Sequence, residues 1–255
     1  MKTAVDEINK KLYNRTESPE LDVYDRGVEF SLDYFKKMVA ALGTKFDGII
    51  FDIDGTIVES NQLIFATFNY VTEKYLGKST SPEEIIALFG PTEGVIIEQL
   101  FSDNFSAVMT DYYKFYRENH SKMAKVFDGI VELIDNLKSK NIFLSVYTGK
   151  GKGSTEITLD ELGIRDKFDL VVTGDDIIGH KPSPEGVELF LKKYNLDRNR
   201  VLMIGDAPPD VKAARATGIR IASVLWDSYA KEEVLKMNSD YYFNTVEELS
   251  NFLLN

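Results

Sequence analysis

Four aspartates in two short clusters could do chemistry together. The first cluster is Phe51-Asp52-Ile53-Asp54-Gly55-Thr56, an apolar run that ends in two carboxylates with one residue between them. On an extended strand both point the same way. That direction leads beyond the strand's carboxyl end, where open α/β sheets hold their ligands. Gly55 lets the chain turn sharply just after them. Asp-x-Asp also opens a calcium loop, but here glycine stands at loop position 4 instead of 6, and Leu63 takes the place of the bidentate glutamate. The second cluster is Gly205-Asp206-Ala207-Pro208-Pro209-Asp210, which follows the apolar run Val201–Ile204. Its prolines suit the first turn of a helix, and Asp210 there could simply complement the helix dipole. That ordinary reading leaves Asp206 unexplained, although turn formation alone could account for one Asp-x-Asp. Acids at the ends of two separate strands make an oxygen-rich site suited to Mg2+.

Two weaker signals lie between these clusters. The run Ile142–Tyr147 leads into Thr148-Gly149-Lys150, which offers a hydroxyl and an exposed backbone N–H to an anion. In Gly179-His180-Lys181-Pro182-Ser183-Pro184-Glu185, a lysine stands just before a helix start, with Ser183 as the expected cap and Pro184 at the first helical position. Alone, Thr148 reads as a strand-end threonine and Lys181 as a surface lysine. The stretch Gly149–Gly153 resembles a phosphate loop in composition, but glycine, not serine or threonine, follows each lysine. His120 closes a polar helix and is expected in solvent, His180 is expected to shape its turn, and Tyr112, Tyr113 and Tyr116 are expected to pack helices.

The elements that must position these residues follow from apolar periodicity. Short runs rich in β-branched and aromatic residues occur at Gly48–Ile53, Ile142–Tyr147, Phe168–Thr173, Val201–Ile204 and Ile219–Leu225. They read as buried parallel strands. Helical spacing of Ile130, Leu133, Ile134 and Leu137, and of Val187, Phe190 and Leu191, fills the gaps. This alternation predicts an α/β fold with a doubly wound parallel sheet. From Asn61 to about Lys125 the pattern is helical throughout, with faces at Leu63/Ala66/Thr67/Tyr70, Ile85/Ile86/Phe89, Ile96/Ile97/Leu100 and Phe105/Val108/Tyr112/Phe115 or Tyr116. Ser81-Pro82-Glu83-Glu84 is a capping box with proline at the first helical position. About four helices here are too long for a simple crossover and read as an insertion. Before Lys45, Ser31 could cap a helix with the stripe Phe35, Met38, Val39 and Leu42, within an extension expected to pack on the core.

With 255 residues and 44% hydrophobic content, the chain can bury a sizeable core. A net charge of −11 disfavours nucleic acid and anionic membrane surfaces as partners. With no cysteine there is no disulfide, thiolate metal site or cysteine nucleophile. The segment Met1–Glu20 lacks the apolar stretch of a signal peptide, and no apolar run approaches a membrane span. The expected setting is cytoplasmic.

Taken in order, the motifs resemble those of the haloacid dehalogenase superfamily of aspartate-nucleophile phosphohydrolases, over roughly Phe46 to the C-terminus. Asp52-Ile53-Asp54-Gly55-Thr56 is similar to the first motif, Thr148 to the second, Lys181 to the third, and Gly205–Asp210 to the fourth. A helical insertion after the first motif is that of the subfamily with a helical cap, which includes phosphoglycolate phosphatases, pyrophosphatases and β-phosphoglucomutases. The resemblance implies a Rossmann-like core at 45–60 and 126–255, a helical cap at 61–125 and an atypical extension at 1–44. Ala207 departs from the family, which often has serine there.

The resemblance also implies roles. Asp52 attacks phosphorus, and Asp54 protonates the leaving oxygen and then activates water. Mg2+ is held by Asp52, the backbone carbonyl of Asp54 and Asp206, with Asp210 ligating or supporting. Thr148, Gly149 and Lys181 hold the phosphoryl oxygens, and Lys150 reaches the substrate anion. Specificity is expected in the loop Phe89-Gly90-Pro91-Thr92-Glu93-Gly94, facing the core site. Thr92 and Arg117 are candidate substrate contacts, with Lys114 beside Arg117. The expected function is Mg2+-dependent hydrolysis of a small phosphorylated metabolite through an aspartyl-phosphate, by a monomer or homodimer. The alternatives are a phosphomutase of the β-phosphoglucomutase type and a non-catalytic phosphate-binding protein.

Overall fold

The computed structural model describes residues 44–255. The expected extension at 1–44, with its Ser31-capped helix, lies outside the described residues except for Thr44. From the N-terminal side the elements are β1 (Gly48–Phe51), β2 (Val58–Glu59), α1 (Asn61–Leu76), α2 (Pro82–Ile86), α3 (Glu93–Leu100), α4 (Phe105–Met123) and β3 (Lys125–Val126). There follow α5 (Ile130–Ser139), β4 (Phe143–Tyr147), α6 (Lys152–Glu161), β5 (Leu170–Val172), α7 (Glu185–Tyr194) and β6 (Val201–Gly205). The chain closes with α8 (Pro208–Thr217), β7 (Arg220–Val224), α9 (Lys231–Leu235), β8 (Tyr241–Phe243) and α10 (Val246–Leu254).

Six strands form one parallel sheet in the order β5-β4-β1-β6-β7-β8. Every residue of β1, β4 and β6 is buried. Their sequences GIIF, FLSVY and VLMIG are near-continuous apolar runs because both faces of the sheet are covered. Phe51 of β1 pairs with Val146 of β4 on one side and Ile204 of β6 on the other. The three strands therefore end level, and the residues just beyond them share one edge. The chain winds outward from β1 through β4 to β5, then returns to β6 on the other side of β1. β1 thus lies at the reversal of strand order, where open sheets leave a crevice.

The helical stretch expected after the first motif contains α1 to α4. Ser81 caps α2 as its sequence predicts: its hydroxyl accepts from the Glu84 N–H (3.3 Å), and the Glu84 carboxylate accepts from the Ser81 N–H (2.9 Å). Gly77 ends α1 with φ 63°, and Lys78 pairs with Glu84, so Gly77-Lys78-Ser79 serves as a helix stop and not as a phosphate cradle. On α4, Val108, Tyr112, Tyr116 and His120 form the buried stripe at four-residue spacing. α1 packs along α4, with the Phe68 ring edge-on to Tyr112 at 5.3 Å between centroids. The buried face of α1 includes Ile64, Phe68 and Val71 besides Leu63 and Thr67, so it is rotated from the predicted one. Tyr70 lies at its margin, stacked on Phe115.

Three short strands escape apolar periodicity. β2 and β3 pair antiparallel over two residues each and clasp the chain where it enters and leaves the helical stretch. The Glu59–Lys125 ion pair (3.2 Å) spans this clasp. β8 adds a three-residue edge strand beside β7. Among the described residues, no helix is long and apolar enough to cross a membrane.

Candidate active site

The level ends of β1, β4 and β6 bring the two aspartate clusters together. Asp52 follows β1 directly, and its N–H donates to the Ile204 carbonyl (2.9 Å), which ties the first cluster to β6. The turn after it is built around Asp206. Gly55 has φ 77°, and a side chain there would meet the Asp206 carboxylate at 2.5 Å, so glycine is needed for both conformation and space. The Thr56 hydroxyl donates to Asp206 Oδ1 (3.1 Å). Gly55 and Thr56 of the first motif thus seat the acid of the fourth.

Lys181, just ahead of α7, joins the remaining acids. Its Nζ lies 2.8 Å from Asp52 and 2.6 Å from Asp210. The other oxygen of Asp210 accepts from the Ala207 N–H (3.0 Å), at the start of α8. The helix after Lys181 begins one residue later than expected: Pro184 is its cap residue, and the Ser183 hydroxyl accepts from the Glu185 N–H. Carboxylate oxygens of Asp52, Asp206 and Asp210 lie within 4.8 Å of one another, and all three residues are buried.

Burial pushes the Asp52 carboxyl up to about 7; Lys181 works against this shift, and Asp210 and Asp54 add to it. Burial likewise raises Asp206 well above the usual carboxylate range, with Asp52 and Asp210 adding to it. Burial would lower Lys181, but Asp210 and Asp52 outweigh it and hold the lysine charged. Three crowded carboxylates with one lysine are short of positive charge. An all-oxygen donor set of this kind suits a hard divalent cation.

Asp54 turns away from this cluster. Its carboxylate accepts from the Ser60 hydroxyl (2.5 Å) and from Lys150 Nζ (3.0 and 3.1 Å). Lys150 has a side-chain exposure of 5% and lies 5.0 Å from the centroid of the Tyr116 ring. Burial pulls Lys150 down, but Asp54, Tyr116 and Glu93 together outweigh it, and the net shift is upward. Thr148 is buried, and its hydroxyl accepts from the Lys150 N–H (3.2 Å). Asp52, Asp54, Thr148, Gly149, Lys150, Lys181, Asp206 and Asp210 all line one cavity.

Other expectations fail. Thr92 is buried and does not line the cavity; it packs against Gly174, because a side chain on that glycine would meet Thr92 at 2.4 Å. Arg117 has 57% side-chain exposure and lies 3.8 Å from Glu161, outside the cavity lining. Lys114 is more exposed still, beside Glu118. His120 is fully buried instead of solvated, because it continues the apolar stripe of α4. Glu93 lines the cavity, but its carboxylate is engaged: it accepts from the Gly151 N–H (2.7 Å) and the Ser154 hydroxyl (2.6 Å).

Sequence reasoning missed Ser60 and Tyr229, and placed Glu93 in the specificity loop without seeing its bonds to Gly151 and Ser154. Ser60 has the look of a helix cap, yet its hydroxyl serves Asp54 and makes no cap bond to α1. Its place directly before a helix gave a signal for the wrong role. Tyr229 lines the cavity from the segment after β7, edge-on to Phe89 at 5.7 Å, and no local pattern marks it.

Known proteins share this arrangement of chain and fold. The family model of haloacid dehalogenase-like hydrolases matches residues 49–224. The pyrophosphatase PpaX of Bacillus pumilus is 30% identical over 209 residues, which cover 79% of this chain and 93% of the relative. Among solved structures, a predicted phosphoglycolate phosphatase from Haemophilus somnus aligns with a TM-score of 0.74 at 20% identity, over 82% of this chain and 99% of that one. CbbY from Rhodobacter sphaeroides, in complex with phosphate, aligns with a TM-score of 0.69 at 21% identity, over 80% and 96%. At such identities the structural likeness speaks for the fold alone.

Proposed function

The chain belongs to the haloacid dehalogenase-like hydrolases, and on that premise we propose that it hydrolyses a small phosphate ester or anhydride through an aspartyl-phosphate on Asp52, with Mg2+ as cofactor. The observation that carries this reading is the buried meeting of Lys181 with Asp52 and Asp210 beside Asp206. The name of the sequence relative, pyrophosphatase, supports phosphate hydrolysis as the class.

Asp52 attacks phosphorus, and the bond from phosphorus to the leaving oxygen breaks. Asp54 gives that oxygen its proton and then takes one from the water that cleaves the acyl-phosphate. Ser60 and Lys150 hold the Asp54 carboxylate in place, and it exchanges Lys150 for the leaving oxygen when it carries the proton. Lys181, the Thr148 hydroxyl and the Gly149 N–H hold the phosphoryl oxygens as charge develops on them. Asp52, Asp206 and the backbone carbonyl of Asp54 would hold Mg2+, with Asp210 supporting them through Lys181 and the Ala207 N–H. When bound, the cation supplies the charge that offsets repulsion between carboxylate and phosphate. The helices of residues 61–125 act as a cap that closes the leaving side of the cavity.

Hydrolysis is favoured over a mutase on one observation. A bisphosphate intermediate needs a cation under the helices for its second phosphate. The loop Phe89–Gly94 has no basic residue, and Arg117 and Lys114 lie outside the cavity lining. The retained acids and Lys181 argue against a non-catalytic phosphate binder.

Asp52→Asn tests the reading. It keeps the shape and removes the nucleophilic charge, so phosphate release should fall by about three orders of magnitude or more with the fold intact. EDTA should stop the wild-type enzyme, and added Mg2+ should restore it. Substantial phosphatase activity in a folded Asp52→Asn protein would contradict the mechanism.

A further inference from the structure

The cavity has two chemically distinct walls. The edge of the sheet supplies the polar one. The helices supply the other, and it is apolar: Ile64 and Phe68 from α1, Ile96 from α3 and Tyr112 from α4 face the cavity, with Phe89 at the loop before α3. Glu93 is the charged side chain that the helices contribute, and the Gly151 N–H and the Ser154 hydroxyl already occupy its carboxylate.

Resting on the phosphatase reading above, we propose that the preferred substrate is a phosphomonoester whose leaving alcohol carries an aromatic ring and no second anionic group.

Charge argues against a second anion. Five carboxylates line the cavity, those of Asp52, Asp54, Glu93, Asp206 and Asp210, against the two lysines Lys150 and Lys181, and no arginine lines it. Each lysine is already within about 3 Å of a carboxylate: Lys150 of Asp54, and Lys181 of Asp52 and Asp210. One divalent cation serves the transferred phosphoryl group and leaves nothing over for a second. A carboxylate or phosphate on the leaving group would lose its water against Ile64, Phe68 and Ile96, and the nearest cation, Lys150, is already paired with Asp54, so such burial is unfavourable.

Shape and chemistry argue for a ring. The cavity has a volume of about 140 Å3, close to that of an engineered apolar cavity that takes one benzene ring. Its walls carry two edge-to-face aromatic pairs, the buried Phe68 with Tyr112 at 5.3 Å and the more exposed Phe89 with Tyr229 at 5.7 Å. A third ring can join the Phe89–Tyr229 pair edge-to-face or offset, which aliphatic groups cannot do as well. The balance of the reaction is that of any phosphomonoester hydrolysis. The P–O bond to the alcohol breaks, the alcohol leaves with the proton given by Asp54, and the oxygen of water ends on phosphate.

The test compares kcat/KM, in the presence of Mg2+, for 2-phenylethyl phosphate, ethyl phosphate, 2-phosphoglycolate and pyrophosphate. The two simple esters have leaving alcohols of similar acidity and differ in the ring. The expected result is a kcat/KM for 2-phenylethyl phosphate about tenfold or more above each of the others. Phe89→Arg, at the partly buried mouth, should narrow that margin by raising 2-phosphoglycolate and lowering 2-phenylethyl phosphate. Equal efficiency for the two simple esters, or a preference for pyrophosphate or 2-phosphoglycolate, would overturn the proposed substrate class while leaving phosphate hydrolysis intact. Failure to release phosphate from any of the four would overturn both.

Discussion

At the scale of single residues, Asp54 and His120 make the sharpest claims. Asp54 is separated from the cluster of Asp52, Asp206 and Asp210 by its bonds to Ser60 and Lys150, and the proposed mechanism makes it the acid for the leaving group. Asp54→Ala should therefore cost most where the leaving oxygen needs a proton. The loss in kcat/KM should be about tenfold or more larger for alkyl phosphates than for p-nitrophenyl phosphate. Equal losses for both would rule out Asp54 as the acid. His120 is buried with neither ring nitrogen hydrogen-bonded among the described residues. Burial lowers its pKa, Lys150 adds to this, and Glu161 and Asp54 oppose it. A histidine held neutral in the fold contributes stability above its ordinary pKa of about 6.5, and that contribution is lost as pH falls below it. Between about pH 7.5 and about pH 5.5, the Tm of the wild type should fall more steeply than that of His120→Leu. Parallel Tm curves would show that His120 does not carry this acid sensitivity. Sequence reading put His120 in solvent because its neighbours Asn119, Ser121 and Lys122 are polar. Its place in the stripe Val108, Tyr112, Tyr116 was the better guide.

At the scale of elements, Glu93 joins the first turn of α3 to the first turn of α6. Its carboxylate spans the Gly151 N–H and the Ser154 hydroxyl, and Tyr113 donates to it from α4 at 3.4 Å. Gly151 permits this approach, since a side chain there would meet the carboxylate at 2.7 Å. The segment held in this way carries Thr148 and Lys150. Glu93→Ala leaves buried donors unsatisfied, so it should lower stability by about 1–3 kcal/mol and reduce kcat as the Thr148–Lys150 loop loosens. Denaturant unfolding together with steady-state kinetics checks both; unchanged values would show that the bond is incidental. Sequence reasoning could not see this latch, because its partners lie 58 and 61 residues apart in the chain. It could see β1, β4 and β6, whose burial on both faces leaves unbroken apolar runs. It missed β8, where Tyr241–Phe243 is too short for a pattern, and the β2–β3 clasp, which has two residues in each strand.

At the scale of the whole molecule, strand order does the assembling. Because β1 lies between β4 and β6 and all three end level, motifs roughly 50 to 150 residues apart in sequence converge at one edge. That convergence was legible in the sequence, since three of the four motifs stood at the end of an apolar run and Lys181 stood just ahead of a helix. The character of the opposite wall was not, since it depends on how α1, α3 and α4 turn their faces. The net charge of −11 and the five carboxylates in the cavity point the same way: anionic substrates are admitted only where a cation awaits them. The central claim is a covalent phosphoryl group on Asp52. The direct measurement is to quench the working enzyme in acid, reduce any acyl-phosphate with borohydride and map the modified residue by peptide mass spectrometry. The account predicts homoserine at position 52 and at no other position, dependent on both substrate and Mg2+. Trapping at Asp54 or any other residue, or full turnover with no trapped acyl-phosphate at Asp52, would contradict it.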